Sequence, residues 1–239
     1  MKDQKLTLVF EHKSVDRDTA WELISSRLQE SGLVEAVYEI VDKKVPFEQI
    51  GKVLKQDGEP HFGIYGEILE FDLAVVGASR HDAIRISGPS NVDWDAWVRL
   101  LQGAGNFVQA FLVDREYHYW QNAQDPLEFR AHNRSYEGLP MKSNGLPFPL
   151  EQQVVDISNN PGRFVLREGF IEAIGSPMWF SNRFWDLTGA NKNAVIIEGV
   201  KVEEDDGLTK ISLGEPITER TGSVIQDALR RSLFPQIIP

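Results

Sequence analysis

The sequence has no cysteine. That excludes disulfides, thiol catalysis and cysteine-ligated metal sites. It also has no apolar stretch approaching the ~20 residues that a membrane-spanning helix needs. The segment MKDQKLTLVFEHK holds one five-residue apolar run, broken by Thr7. This is too short for the core of a signal peptide. It reads as a strand of the fold itself, and the protein is expected to be cytoplasmic. Phosphate-binding loops are missing as well, since neither GxGxxG nor GxxxxGK[ST] occurs, so nucleotide binding has no support. Positive charge is in deficit: 25 Lys+Arg stand against 36 Asp+Glu, a net charge of −11. Such a chain is a poor match for a phosphate backbone. No direct nucleic-acid binding, no membrane association, no cofactor and no metal are expected. An acidic surface would instead attract a basic partner and speed its encounter.

What is present is an ordinary globular composition, 41% hydrophobic and 26% charged over 239 residues, enough for a sizeable core. Residues 5–11 alternate as a strand. Trp21, Ile24 and Leu28 lie on one helical face, with Ser25 as a polar gap; Asp16 or Asp18 can cap that helix and Gly32 can end it. A strand over 33–41 precedes a short helix opened by Pro46. Strands follow over 61–67, 71–79 and 82–88. Asn91 can cap a helix carrying Trp94, Trp97, Val98 and Leu101 on one side. Strands are expected again over 106–114 and 116–121.

Residues 122–162 are rich in Asn, Pro, Gly and Ser, the signature of a connector or a long surface excursion. Beyond it the pattern gives strands over 163–168 and 170–176, a helix over about 178–187, strands over 193–202 and 209–215 joined at Asp205-Asp206-Gly207, and a terminal helix. The expected fold class is α+β, with mostly antiparallel sheets and flanking helices. It divides into an N-terminal lobe (1–121), a connector (122–162) and a C-terminal lobe (163–239).

Catalytic signals are sparse. The five histidines include no HExxH pair. Ser79 in VVGASRH precedes His81, but the second glycine of a nucleophile elbow is absent. Glu116 and His118, read on a strand, would share one face and could begin a metal site. A small hydrolase or metal-dependent enzyme using Ser79/His81 or Glu116/His118 is therefore the alternative to a non-catalytic protein. A peptide-binding adaptor is a third reading.

The stretch REGFIEAIGSPMWFSNRFWDLTGA (167–190) carries a family likeness. Its strand Gly169-Phe170-Ile171-Glu172-Ala173, the following Gly175-Ser176, and an aromatic helix with Met178, Trp179, Phe184 and Trp185 resemble bacterial immunity proteins of polymorphic-toxin systems, in particular the immunity protein 52 family. The resemblance implies a protein of interbacterial competition. It would bind and neutralise a cognate toxin one-to-one, acting as a nuclease inhibitor against a toxin delivered by type VI secretion. In the aromatic stretch Ser176 would cap the helix and Pro177 would enter its first turn. Phe180, Phe184 and Leu187 would form one stripe, leaving Trp179 for a partner.

Candidate partner-binding residues fall into two groups. The acidic run Glu203, Glu204, Asp205 and Asp206 would sit at a hairpin tip and match a basic surface. Tyr117, Tyr119 and Trp120 are aromatic anchors of the kind that dominate interfaces, with Tyr117 and Tyr119 on one face of the expected strand and His118 and Trp120 on the other. The connector around Arg134–Tyr136 is a further candidate.

Overall fold

The computed structural model describes residues 3–205, 207–214, 217 and 224–235. In chain order the first half comprises β1 (Gln4–Glu11), α1 (Arg17–Ser31), β2 (Val37–Ile40), β3 (Lys43–Pro46), α2 (Ile50–Asp57), β4 (Phe62–Tyr65), β5 (Glu70–Val76), β6 (His81–Gly88), α3 (Trp94–Leu101) and β7 (Phe107–Asp114). Then come α4 (Arg115–Asn122), α5 (Pro126–Ala131), β8 (Met141–Ser143), β9 (Gln153–Val155), β10 (Val165–Arg167), β11 (Phe170–Glu172), β12 (Met178–Phe180), α6 (Asn182–Thr188), β13 (Val200–Asp205), β14 (Leu208–Leu213) and α7 (Val224–Leu233). No described helix is long and apolar enough to cross a membrane.

Ten strands form one antiparallel sheet in the order β13-β14-β12-β7-β1-β6-β5-β4-β2-β3, so the α+β class stands. Strands from both sides of residues 122–162 belong to it, because β12 hydrogen-bonds to β7. The alternation read from β1 decides its two faces. Leu6, Leu8 and Phe10 join one core with Trp21, Ile24 and Leu28 of α1 and Trp97, Val98 and Leu101 of α3. Val9 points the other way, into a second core with Phe184 and Trp185 of α6 and Leu229 and Leu233 of α7. The centre of the sheet is thus covered on both sides. This explains why β7 is apolar on both faces and buried from Phe107 to Val113.

Helix boundaries follow local chemistry. The Asp16 side chain accepts from the Thr19 N–H, and Gly32 ends α1 at φ 68°, a conformation that suits glycine. For α3 the cap is Asp93 rather than Asn91, accepting from Ala96 N–H at 3.1 Å.

The strand expected over 193–202 forms only from Val200 onward, and three further segments depart from the expected pattern. First, 116–121 is helical, not extended. Asp114 accepts from Tyr117 N–H at 2.7 Å, and this N-cap outweighs the β-preference of the aromatic run. Second, 178–187 is not one helix. Met178–Phe180 form β12 between β7 and β14, and α6 begins only after Ser181. Ser176 caps nothing: its Oγ accepts from Leu213 N–H at 3.0 Å. The Phe180–Phe184–Leu187 stripe therefore does not exist, and Leu187 is exposed. Third, 122–162 has structure of its own. Helix α5 and the β8–β9 hairpin pack on a small third core of Ala123, Phe129, Val155 and Ile157.

Candidate functional site

Two surfaces gather the residues singled out above, and they lie at opposite ends of β7. Phe180 pairs with Gln109 of β7 and Thr209 of β14, so the β13–β14 tip sits at the Phe107 end. Helix α4 starts directly after Asp114, at the other end. Eight residues of strand at ~3.3 Å each put about 25 Å between them.

At the Phe107 end, Trp179 is not left over for a partner. It is 3% exposed and part of the first core. Its Nε1 donates to Asp95 Oδ1 at 2.9 Å. Asp95 Oδ2 accepts from Lys210 Nζ at 2.6 Å, and that ammonium lies 5.7 Å from the centre of the Trp179 ring. Beside them Arg99 pairs with Asp205. These groups and Glu203 line a pocket of about 160 Å³. The acidic run is internally matched: Glu203 pairs with Lys201 at 2.8 Å, while Glu204 accepts from Thr209 Oγ1 at 2.8 Å and lies 3.5 Å from Lys192. Asp206 lies outside the described residues.

At the Asp114 end, helical geometry redistributes the aromatic run. Tyr117 is buried rather than exposed, and its hydroxyl accepts from Gln226 Nε2 at 2.6 Å; burial raises its pKa. Tyr119 and Trp120 remain half-buried and meet the connector. The Arg134 guanidinium sits 3.8 Å from the Tyr119 ring centre and 5.7 Å from that of Trp120, and it pairs with Glu116. Glu116 Oε1 also accepts from Trp120 Nε1 at 2.6 Å, one helical turn away. Tyr136 closes the group: its ring lies 5.9 Å from that of Phe129, and its hydroxyl accepts from Arg130 at 3.0 Å. Tyr119, Trp120 and Arg134–Tyr136, separate in the sequence, are joined in the structure.

Sequence reasoning missed a further exposed group. The loop joining β8 to β9 exposes Leu146, Phe148 and Leu150, with Phe148 91% exposed. Asn144 holds the loop, donating to Leu150 O at 2.9 Å and accepting from Leu146 N–H at 3.1 Å. The signal was in the sequence: LPFPL alternates large apolar residues with proline inside a stretch otherwise polar.

The two enzymatic pairings do not assemble as expected. Ser79 and His81 are both buried. The hydroxyl of Ser79 and Nε2 of His81 have no hydrogen-bond partner among the described residues, whereas a nucleophile and its base are joined by one. His81 Nδ1 instead lies 3.3 Å from the carbonyl of Ser79. Its neighbour Asp82 accepts from the N–H groups of Lys13 and Val15, which gives it a structural task. Glu116 and His118 stand two residues apart on a helix, on different sides. The His118 ring packs 4.4 Å from that of Phe164, and burial brings its pKa down to about 4. Among the described residues no three His, Asp or Glu side chains are grouped to hold a metal.

No family model matches the sequence, and no curated protein matches it. Among solved structures, the Pseudomonas aeruginosa T6SS protein PA0821 is similar with a TM-score of 0.49 at 9% sequence identity, over 98% of this chain and 72% of that one. A likeness of that size carries no function across.

Proposed function

We propose that this protein is a stoichiometric protein-binding inhibitor, an immunity protein that captures and neutralises a toxin. The observation that supports it best is the loop carrying Leu146, Phe148 and Leu150, exposed to solvent with its shape held by Asn144; the Arg134–Tyr119–Trp120 group adds aromatic and guanidinium surface of its own. Large apolar side chains grouped on a surface mark contact sites. Tyr, Trp and Arg supply most of the binding energy where such contacts are made. A loop already held in shape loses little freedom on binding. The net charge of −11 favours a basic partner. The resemblance of residues 167–190 to immunity proteins narrows that partner to a toxin, with a nuclease delivered by type VI secretion as the specific reading.

The test uses the toxin encoded beside this protein. A one-to-one complex is expected, with an association rate that falls as salt rises and protection of cells that express the toxin. Phe148→Ala should weaken the complex by about 2 kcal/mol, roughly thirty-fold, while leaving the fold intact. Failure to bind the toxin, or binding that leaves killing unchanged, sinks the proposal.

A further inference from the structure

Among the described residues of this acidic protein, a cleft is strongly basic. Between the 122–162 segment, the β10–β11 hairpin and α7 lies a depression of about 450 Å³, lined by Lys142, Arg163, Arg167 and Arg230. Only one carboxylate, Glu172, lines it with them. Glu172 is buried and bridges two of the cations, accepting from Arg230 at 2.5 Å and from Arg167 at 2.8 Å. Lys142 pairs outward with Asp156 at 2.9 Å. Even with Asp156 counted, the cations outnumber the carboxylates by two. The exposed Asp227, one turn before Arg230, adds a weaker opposing field.

The excess is concentrated on two guanidiniums. Arg163 donates to the carbonyl of Asn160 at 2.9 Å and has no carboxylate partner among the described residues. Arg230 is 5% exposed. Its Nη atoms serve Glu172 and the carbonyls of Pro161 and Arg163, but its Nε–H has no acceptor among the described residues. Burial, and then the neighbouring charge of Arg163, push the pKa of Arg230 down. A buried cation beside a second cation, with a donor unused, is costly unless an anion completes the set. Phe164, Val165 and Ile157 supply an apolar wall, and the volume is within the range of small-molecule sites.

We propose that this cleft binds a small organic dianion, a phosphate monoester or a dicarboxylate, whose oxyanion is received by Arg163 and Arg230. Planar guanidiniums present paired donors that match such oxyanions. None of the residues lining the cleft belongs to the loop that carries Phe148, so anion binding is tested separately from toxin binding.

The experiment is calorimetric titration of the full chain with inorganic phosphate, and separately with succinate, at constant ionic strength. Saturable one-site binding of at least one is expected, and the preference between them identifies the class. Arg163→Gln keeps a side-chain donor toward Asn160 and should weaken binding about ten-fold. Lys201→Gln, on β13, should leave it unchanged. If Arg163→Gln does not fold, Lys142→Gln on the exposed β8 carries the same direction of change. Absence of saturation by both anions at millimolar concentration overturns the proposal. So does equal binding by the wild type and the folded cleft variant.

Discussion

The two ends of β7 carry similar residue types and use them in opposite ways. At the Phe107 end, an indole, three cations and three carboxylates close on one another: Trp179 and Lys210 share Asp95, Arg99 holds Asp205, and Lys201 holds Glu203. At the Asp114 end, Arg134 lies against tyrosine and tryptophan rings, and farther along the chain the β8–β9 loop leaves Phe148 in water. Matched charges are already satisfied and offer a partner little beyond steering. Exposed apolar area retains its full burial energy for a partner, about 25 cal/mol per Å². Charge density pointed to the first surface; the unspent interaction energy is at the second.

Substitutions sharpen this contrast. Trp179→Ala should cost the most, about 4 kcal/mol as for other buried tryptophans, read as a lower denaturation midpoint. Trp120→Ala, half-buried at the other end, should cost clearly less. Equal losses would erase the distinction between an interlocked end and an open one. Acid comes next. His118, beside the second surface, has a folded pKa of about 4 against its usual 6.5. Between these values the unfolded chain takes up a proton that the folded one does not, so stability is lost as pH falls from about 6.5 to 4, by at most ~3 kcal/mol. His81 shifts in the same direction, so His118→Gln should flatten the profile only in part. A profile unchanged by that substitution would show that His118 is not buried as described. Asp95→Ala should cost about 1–2 kcal/mol by stranding the Trp179 N–H. Phe148→Ser should alter stability by no more than about 0.5 kcal/mol. A large loss at Phe148 would mean that the loop is part of the core after all.

Much of the framework was legible because it follows from short-range rules. The β1 alternation, the Trp21–Ile24–Leu28 face, the Gly32 stop and the apolar β7 all stand where periodicity put them. The errors fall where a local preference met a stronger partner. Residues 116–121 look extended until Asp114 caps them. Met178–Phe180 look helical until the exposed edges of β7 and β14 hydrogen-bond to them. The acidic run was visible in the sequence, but its neutralising partners Arg99 and Lys192 were not.

By itself the sequence determined the absence of thiol chemistry, the net negative charge, the α+β class and most apolar faces, because these depend on composition and on periods of two or 3.6 residues. The tertiary structure decided which polar groups remain available. It locked Trp179 behind Asp95, buried Tyr117, raised Phe148 into solvent, and gathered four cations from β8, the turn before β10, β10 itself and α7 around one carboxylate. Those outcomes depend on pairings between residues far apart in the chain, and no local pattern records them.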